Sequence, residues 1–484
     1  MKKALSFLFS TSLMAVLILL FAFSIAVATF IENDFGTQTA RAAIYNAWWF
    51  NLLLFTGIFN LTGTIIINRL YRKEKRSIFT FHLAFLLILT GAAITRFFGF
   101  EGYMHIREGD SSNRIISSDN YFMMSASSNG EHRSAEKKIY FSKMSGNYNK
   151  LDIKIDDQII RAECLEIIPD AIEVAIQDAS GKPVVELVVS ATAGRQTVVI
   201  TQDGPRIIGN LLFTLNDSSN SKGVDIQADE NELKIKSPID VTVMDMATQQ
   251  VDTLETGGYH PLKLMSLYNL NGLMMVPRTF FPAGKLEVKT DENSRSEEMP
   301  DAVLIRISSG NGSRTLRYFA YENALNEPVN IVLNDVSIDI SYGSKMVPVP
   351  FELMLTEFLL ERYPGSNSPS SFESKIILTD HSAGIRENRR VYMNNVLKHK
   401  GYRFYQSSYD TDEKGTVFSV NRDYAGTFIT YAGYLLLAAG IVFSLMNRNS
   451  RFRKLSAELD TIRQSGKQVL FSLLLLFSAA FPFR

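Results

Sequence analysis

The sequence predicts an integral membrane α-helical bundle, with about four transmembrane helices plus a C-terminal apolar segment, that carries a large extracytoplasmic, mostly-β domain. Three observations lead to this fold class. Long apolar stretches are confined to the two ends of the 484-residue chain. The stretch between them has the alternation of β-strands, and basic residues cluster in the segments that flank the apolar stretches. The chain is therefore analysed segment by segment rather than by its average composition.

Overall charge and cysteine content exclude several classes of protein. The 50 lysine and arginine residues balance 50 aspartate and glutamate residues, whereas a protein that binds nucleic acid would be basic. Cys164 is the single cysteine, so the chain can form neither an internal disulfide nor a CxxC metal or redox motif. The CxxCH haem-attachment motif is absent from the sequence as well.

Four stretches are long enough to cross a bilayer, which requires about 20 apolar residues in a helix. They cover residues about 4–31, 48–70, 78–100 and 426–446. A shorter apolar segment, 468–484, could form a fifth transmembrane helix. The first stretch also has features of a signal peptide, since it follows two lysines and contains "AVA". Its length favours a retained membrane anchor.

The basic clusters orient these spans. Lys2 and Lys3 precede the first span, "RLYRKEKR" (69–76) joins the second to the third, and "NRNSRFRK" (447–454) follows the fourth. All three clusters fall on the same side if the spans alternate in direction, and that side is expected to be cytoplasmic. The N-terminus and a basic segment, 447–467, are then cytoplasmic, and residues 101–425 are extracytoplasmic.

The extracytoplasmic region has the pattern of short strands separated by turns. "PVVELVVSA" (183–191) and "VNIVLNDVSIDISY" (329–342) are rich in β-branched residues with rough alternation. The stretch "FELMLTEFLLERY" (351–363) fits either a helix or a long strand. We expect a mostly antiparallel β domain that could form two sandwich-like halves. It contains no HExxH, P-loop or GxGxxG motif, and among its scattered histidines only His105 is notable, because it closely follows the third span.

A single histidine, His82, lies inside the third apolar stretch. It follows Arg76 by six residues, which places it about 9 Å further along a helix, near the cytoplasmic interface. Ionisable groups in a span are costly and usually functional, and desolvation favours the neutral imidazole that coordinates metals. The alternative is an interfacial histidine that reaches the headgroups. Arg96, near the other end of this span, is expected to extend its charge toward the interface.

The second span carries a polar ridge, formed by Thr56, Asn60, Thr64 and Asn68 at intervals of four residues. A short loop joins this span to the third, so the two are expected to be antiparallel neighbours. Thr64 or Asn68 could then accept a hydrogen bond from the second N–H of His82 and fix the ring, as outer groups do at metal sites. The alternative is that the ridge holds helices together.

Five segments stand out by their order along the chain. They are "AIYNAWWFNLLL" (43–54), "HLAFLLILTGAAITRFFGFEG" (82–102), "YPGSNSPSSFES" (363–374), "VYMNNVLKHKGYRFYQSSYD" (391–410) and "GTVFSVNRDYAGTFITYAGYLLLAAG" (415–440). In this order they resemble the ResB/CcsB family of cytochrome c biogenesis proteins (System II). The resemblance implies a membrane protein that acts with a CcsA-type membrane partner and carries haem b across the bacterial cytoplasmic (inner) membrane, for attachment to an apocytochrome c with a CxxCH motif. His82 matches a histidine of this family that is an axial ligand of haem iron.

The sequence also lacks features that this machinery requires. The tryptophan-rich WGxxWxWD motif of the CcsA-type half is absent, and His82 is the one obvious ligand where a six-coordinate haem needs two. The resemblance therefore implies one part of a holocytochrome c synthase complex that is not catalytic alone. The apolar segment 468–484 resembles the start of a fused partner, so the chain could be the ResB-like part of a ResB–CcsA fusion. The competing function is a membrane-anchored β-domain scaffold that binds no cofactor.

Overall fold

The computed structural model describes residues 7–142, 144, 148–191, 194–217, 222–229, 232–291, 299–310, 312–446 and 455–466. Three features of the sequence lie outside the described residues. They are the lysine pair Lys2 and Lys3, the basic cluster 447–454 and the C-terminal apolar segment 468–484.

Four helices of the described part of the chain are long and apolar enough, by length and composition, to cross a membrane. The first begins later than the sequence indicates because Ser10 caps it: the Ser10 hydroxyl accepts a hydrogen bond from the Leu13 N–H at 3.1 Å. Short helical turns at Thr37–Ala40 and Arg41–Tyr45 follow the first helix, and a further helix covers residues 455–466. The four long helices are Thr11–Phe35 (α1), Trp48–Ile67 (α2), Arg76–Phe98 (α3) and Tyr424–Met446 (α4).

The described residues between α3 and α4 form 27 strands, in line with the β-rich pattern of this region. The first nine are Phe100–Arg107 (β1), Ser111–Ser117 (β2), Tyr121–Ser128 (β3), Glu131–Lys138 (β4), Asn149–Ile155 (β5), Gln158–Ile168 (β6), Ala171–Ala191 (β7), Gly194–Thr201 (β8) and Arg206–Ile208 (β9). The next nine are Leu211–Leu215 (β10), Val224–Ala228 (β11), Leu233–Lys236 (β12), Val241–Asp245 (β13), Val251–Leu254 (β14), His260–Pro261 (β15), Ser266–Leu270 (β16), Leu273–Thr290 (β17) and Asp301–Ser309 (β18). The last nine are Gly312–Ala320 (β19), Val329–Leu333 (β20), Val336–Gly343 (β21), Met346–Arg362 (β22), Pro369–Asp380 (β23), Ile385–Tyr392 (β24), Leu397–His399 (β25), Tyr402–Tyr409 (β26) and Gly415–Arg422 (β27).

The chain divides into two compact units. The first unit contains Met1–Phe122, Lys137–Ser145 and Gly343–Arg484, and so holds the long helices and one large sheet. The second unit contains Met123–Glu136 and Gly146–Tyr342. The fold class predicted from the sequence, apolar helices with a large mostly-β domain, is confirmed.

The sheet of the first unit has eight strands in the order β24-β23-β22-β2-β1-β27-β26-β25. Residues on one face alternate with residues on the other, so Met104 and Ile106 enter the core with Phe404 and Phe418. The opposite face of β1 carries polar residues, including His105. The ambiguous stretch 351–363 belongs almost entirely to strand β22, because its apolar residues alternate in burial along its pairing with β23.

The second unit holds four sheets. Their strand orders are β15-β12-β11-β10-β9, β14-β13-β16-β17-β7-β8, β19-β18-β6-β5 and β20-β21-β3-β4. Strands β10 and β11 pair in parallel, whereas the long strands β7 and β17 form an antiparallel ribbon. The main core of this unit is built from β-branched and aromatic residues such as Val185, Phe213 and Tyr268. Hydrophobic burial therefore organises this unit without a disulfide.

Candidate functional site

Helix α3 packs mainly against α4, through glycines that let the two backbones approach closely. A Cβ atom at Gly91 would lie 2.2 Å from the Thr430 hydroxyl oxygen, and one at Gly433 would lie 2.7 Å from the Ile88 side chain. A larger residue at either position would force the helices apart. We call this contact the α3–α4 seam. Small residues are the usual way in which membrane helices reach such close contact.

A polar network closes the end of the seam that lies next to the first-unit sheet. The Thr95 hydroxyl donates a hydrogen bond to the Asp423 carboxylate at 2.6 Å, and the Thr427 hydroxyl donates to the same carboxylate oxygen at 3.3 Å. Asp423 is almost completely buried. A buried carboxylate requires such donors, so the network fixes the end of α3 to the start of α4.

His82 lies on α3, on the side that faces away from the seam. It precedes the fully buried Ala84 by two residues, which places it about 160° around the helix axis from that residue. Its Nδ1 atom lies 2.9 Å from the carbonyl oxygen of Ile78 in the preceding turn. A carbonyl can only accept, so Nδ1 donates in this hydrogen bond, and in the neutral form of the ring the lone pair then lies on Nε2. The half-buried ring therefore presents a potential metal ligand on the face of α3 that is free of α4.

The polar ridge of α2 makes its hydrogen bonds elsewhere. Asn60 donates to the carbonyl oxygen of Leu8 at 2.6 Å, and the Thr64 hydroxyl donates to the carbonyl oxygen of Phe9 at 3.3 Å. Asn68 ends α2 as an exposed residue whose backbone carbonyl accepts from Lys75 at 2.9 Å. Two residues of the ridge, Asn60 and Thr64, therefore contact the segment that precedes α1. The supporting role of Thr64 and Asn68 at His82 stays a prediction.

Two further observations concern the inner ends of the helices. Among the described residues, no group of three or more His, Cys, Asp or Glu side chains is placed to hold a metal ion. A hollow of about 630 Å³ lies where the α2–α3 connection meets the end of α4, and it is lined by Lys73, Arg76, Phe79, Phe443 and Met446 among others. Basic and apolar side chains are therefore combined at the end of α3 from which His82 projects.

The sequence led us to expect that Arg96 extends its charge freely toward the interface. In the structure, neighbouring residues hold its side chain. Its guanidinium donates hydrogen bonds to the carbonyl oxygen of Tyr45 and to the side chain of Asn46, and it lies 5.8 Å from the centre of the Phe50 ring. Cation–π contacts of this kind are favourable where water is scarce. Arg96 therefore fixes the turn between α1 and α2 against α3.

His105 belongs to an ion-pair network on the first-unit sheet. Its Nε2 atom lies 2.9 Å from the Asp410 carboxylate, and Arg107 donates to the other oxygen of that carboxylate at 2.8 Å. Arg107 also pairs with Asp412. All of these groups are partly or largely exposed, so the network adds little to stability in water. The sequence singled out His105 but gave no sign of its partners, because strand pairing brings them together.

A second histidine, His399, contacts a buried carboxylate that the sequence analysis missed. Asp380 is fully buried and accepts hydrogen bonds from Lys400 at 2.6 Å and from His399 at 2.7 Å. Hydrogen bonds from Lys400, from Ser382 and from His399 hold the pKa of the Asp380 carboxyl well below its usual range. His399 also meets the Phe351 ring edge-on at 4.9 Å between ring centres. This cluster fixes the β23–β24 turn against β25.

Comparison with known proteins places these features in a family. The sequence model of the ResB-like family matches residues 72–133 and 319–427, which include His82, His105 and Asp380. Protein NrfI of Wolinella succinogenes is 29% identical over 463 residues, covering 96% of this chain and 37% of NrfI. The chain therefore spans just over a third of the length of this relative.

Proposed function

The chain is a member of the ResB-like family of membrane proteins, and from this premise we propose that it is a membrane subunit of the System II cytochrome c maturation machinery. In this role it handles haem b across the membrane for covalent attachment to a CxxCH apocytochrome c. The family match, the long match to NrfI and the chemistry of His82 support the proposal.

The observation that carries the proposal is the hydrogen bond from His82 Nδ1 to the Ile78 carbonyl oxygen. It places an N–H on Nδ1, so that in the neutral imidazole the lone pair lies on Nε2, the atom that can bind iron, and it orients the ring without a second side chain. Haem iron is commonly held by one histidine on the protein side. The residues present therefore fit one axial position of a haem.

The basic segment that precedes α3 also suits a haem-handling role. Arg76 lies about 9 Å along the helix axis from His82, and haem carries two carboxylates at one edge that basic side chains can pair with. The hollow that Arg76 lines with Lys73, Phe443 and Met446 lies on the α4 side of α3, whereas His82 lies on the opposite side. We therefore assign no haem contact to that hollow.

We propose that a CcsA-type membrane partner supplies the second axial ligand. His82 faces away from the α3–α4 seam, so the ring is accessible to a further helix. In this arrangement the cytoplasm lies at the inner end of α3, next to the basic segment 69–76, and the β-rich units lie in the periplasm. The chain is then one part of a synthase complex and is not catalytic alone.

The test is to purify the full chain together with its CcsA-type partner and to record the absorption spectrum. We expect a Soret band from bound haem in the unmodified complex and a substantial loss of that band with His82→Ala. His132→Ala is the matched control, because His132 is a histidine of the second unit that bonds Ser127. A complex that takes up haem equally well with His82→Ala would contradict ligation, and a complex without any Soret band would favour the cofactor-free scaffold.

A further inference from the structure

Three polar residues form a row across the first-unit sheet where it meets the long helices. Glu101 on β1 pairs with Asn421 on β27, and Asn421 pairs with Arg403 on β26. Paired residues of neighbouring strands lie on the same face, with strands about 4.8 Å apart, so Glu101 and Arg403 are about 10 Å apart at the backbone. The row thus presents an anion, an amide and a cation in sequence.

This row lies at the depth of lipid headgroups. Glu101 follows the end of α3 at Phe98 by three residues, and the Arg403 guanidinium donates to the Thr427 hydroxyl at 3.4 Å. Thr427 is in the first turn of α4. The polar layer on each side of the hydrocarbon is about 5–7 Å thick. Groups that contact the first turn of a membrane-spanning helix are therefore within reach of headgroups.

The row borders an open pocket of about 350 Å³, whose other lining residues include Ser118, Tyr405 and Ser419. This volume is at the lower end for binding pockets, so it suits a small polar group rather than a large cofactor. The pocket walls are mostly hydroxyl, amide and charged groups, and they come from β1, the residue after β2, β26, β27 and the start of α4. Its chemistry is that of a site for a charged headgroup.

One polar group of the row has no partner within the described part of the chain, and the other two form no ion pair there. The Asn421 side-chain oxygen is buried and has no hydrogen-bond partner. Glu101 is exposed, and Arg403 makes one long hydrogen bond, to the Thr427 hydroxyl. A buried acceptor without a donor is destabilising. A ligand that supplies an N–H donor to Asn421 and an anion to Arg403 would pair both groups.

We propose that this pocket binds the phosphoethanolamine headgroup of a membrane phospholipid. Arg403 would bind the phosphate, for which its planar guanidinium provides parallel N–H donors. The primary ammonium group has three N–H donors, and these would reach the Asn421 oxygen and the Glu101 carboxylate. A trimethylammonium headgroup cannot donate, and a glycerol headgroup carries no positive charge for Glu101. The order of the row therefore favours phosphoethanolamine over phosphocholine and phosphoglycerol.

The experiment is native mass spectrometry of the full chain in mild detergent, with added phospholipids that share the same acyl chains. We expect retention of phosphatidylethanolamine to exceed that of phosphatidylcholine or phosphatidylglycerol by about tenfold, the factor that corresponds to one or two charge-assisted hydrogen bonds. Equal retention of the three lipids would overturn the proposal. An excess of soluble phosphoethanolamine that displaces the lipid completely would overturn the assignment to a lipid.

Variants separate the two ends of the headgroup. Arg403→Gln should lower retention of phosphatidylethanolamine about tenfold, and Arg403→Lys should retain part of it. Glu101→Gln should abolish the preference over phosphatidylcholine. The matched controls are Arg386→Gln, on the exposed edge strand β24, and Glu166→Gln, on β6, and both should behave as the unmodified chain. The proposed headgroup site would be contradicted by an Arg403→Gln variant that stays monodisperse and retains the lipid as fully as the unmodified chain.

This inference does not depend on haem. His82→Ala should leave lipid retention unchanged, since His82 projects from the inner end of α3 and the row lies beyond its outer end. A lipid preference that is retained in His82→Ala would therefore support this site, whether or not that variant loses haem. Loss of the lipid preference in His82→Ala would overturn the separation of the two sites.

Discussion

At the scale of single residues, the histidines differ in the partners that they contact. His82 and His260 each contact a backbone carbonyl oxygen, His105 and His399 each contact a carboxylate, and His132 contacts the Ser127 hydroxyl. His82 differs from the others because it lies on an apolar helix that is long enough to cross a membrane. Its role as a haem ligand is therefore proposed from its position as well as from its hydrogen bond.

The buried carboxylate of Asp380 predicts a pH dependence of stability. Lys400, Ser382 and His399 hold the pKa of the Asp380 carboxyl below its usual value, so the folded state keeps it ionised at pH values where the unfolded chain binds a proton. Its stabilising contribution is complete above the unfolded pKa of about 4 and is lost as the pH falls toward the folded pKa. Asp380→Asn should lower the thermal unfolding midpoint at pH 7, and the difference from the unmodified chain should shrink at pH 3.

The control for this prediction is Asp240→Asn, because Asp240 is exposed. It should leave the midpoint unchanged at both pH values. Thermal unfolding of the full chain in detergent provides the measurement. If Asp380→Asn lowers the thermal unfolding midpoint equally at pH 3 and pH 7, the carboxylate contributes to stability through its shape rather than its charge.

The single cysteine predicts a second result at this scale. Cys164 is fully buried on β6, and burial raises the pKa of its thiol to about 12. The nucleophilic thiolate is therefore scarce. The folded chain should not react with a maleimide at pH 7, and the unfolded chain should incorporate one equivalent by mass. Labelling of the folded chain would contradict the buried assignment.

At the scale of elements, the α3–α4 seam is a contact between two long helices that depends on glycine. The side chain and backbone of Ile88 occupy the space that a Cβ atom on Gly433 would need. Gly433→Leu should therefore separate the helices and lower the stability of the chain by about 1–3 kcal/mol, the usual cost of overpacking. Thermal unfolding in detergent measures the effect.

Gly57 provides the matched control for the seam. It lies in the middle of α2, and nothing occupies the space within 4 Å of the Cβ it would carry. Gly57→Leu should therefore be tolerated, because Leu also has the higher helix propensity. If Gly433→Leu proves as stable as Gly57→Leu, the seam is not a close contact.

The polar ridge of α2 gives a prediction about the environment of His82. Because Ile78 already holds the ring N–H, the double variant Thr64→Val, Asn68→Leu should leave the Soret band of the complex with the CcsA-type partner unchanged. The same variant should weaken the attachment of the segment before α1, since Thr64 bonds Phe9. A shifted or reduced Soret band would instead establish the supporting role that the sequence predicts for these residues.

At the scale of the whole molecule, the distribution of basic residues predicts the orientation in the membrane. In a Cys164→Ala background, Glu166→Cys on β6 of the second unit should react with a membrane-impermeant maleimide added to intact spheroplasts. Lys73→Cys in the α2–α3 connection should react only after lysis. Both positions are exposed, so reactivity reports the side of the membrane rather than burial. Labelling of Lys73→Cys from outside would reverse the proposed topology.

The sequence by itself determined the features that depend on local pattern. Hydropathy is a property of consecutive residues, so the four apolar helices and their approximate positions follow from it. Strand character follows from alternation and turn residues, and the mostly-β region is confirmed. His82 could be singled out because a histidine in an apolar span is conspicuous without any knowledge of its neighbours.

Only the tertiary structure decided which elements meet. The main neighbour of α3 is α4, and the contact between Thr95 and Asp423 joins residues 328 positions apart. His105 and Asp410 are separated by 305 positions, and the row from Glu101 to Arg403 depends on the register of three strands. Register reflects the packing of a whole sheet face, since a slip of one residue would move every side chain to the other face. A pattern that is local in sequence carries no such information, so these sites could be found only in the folded chain.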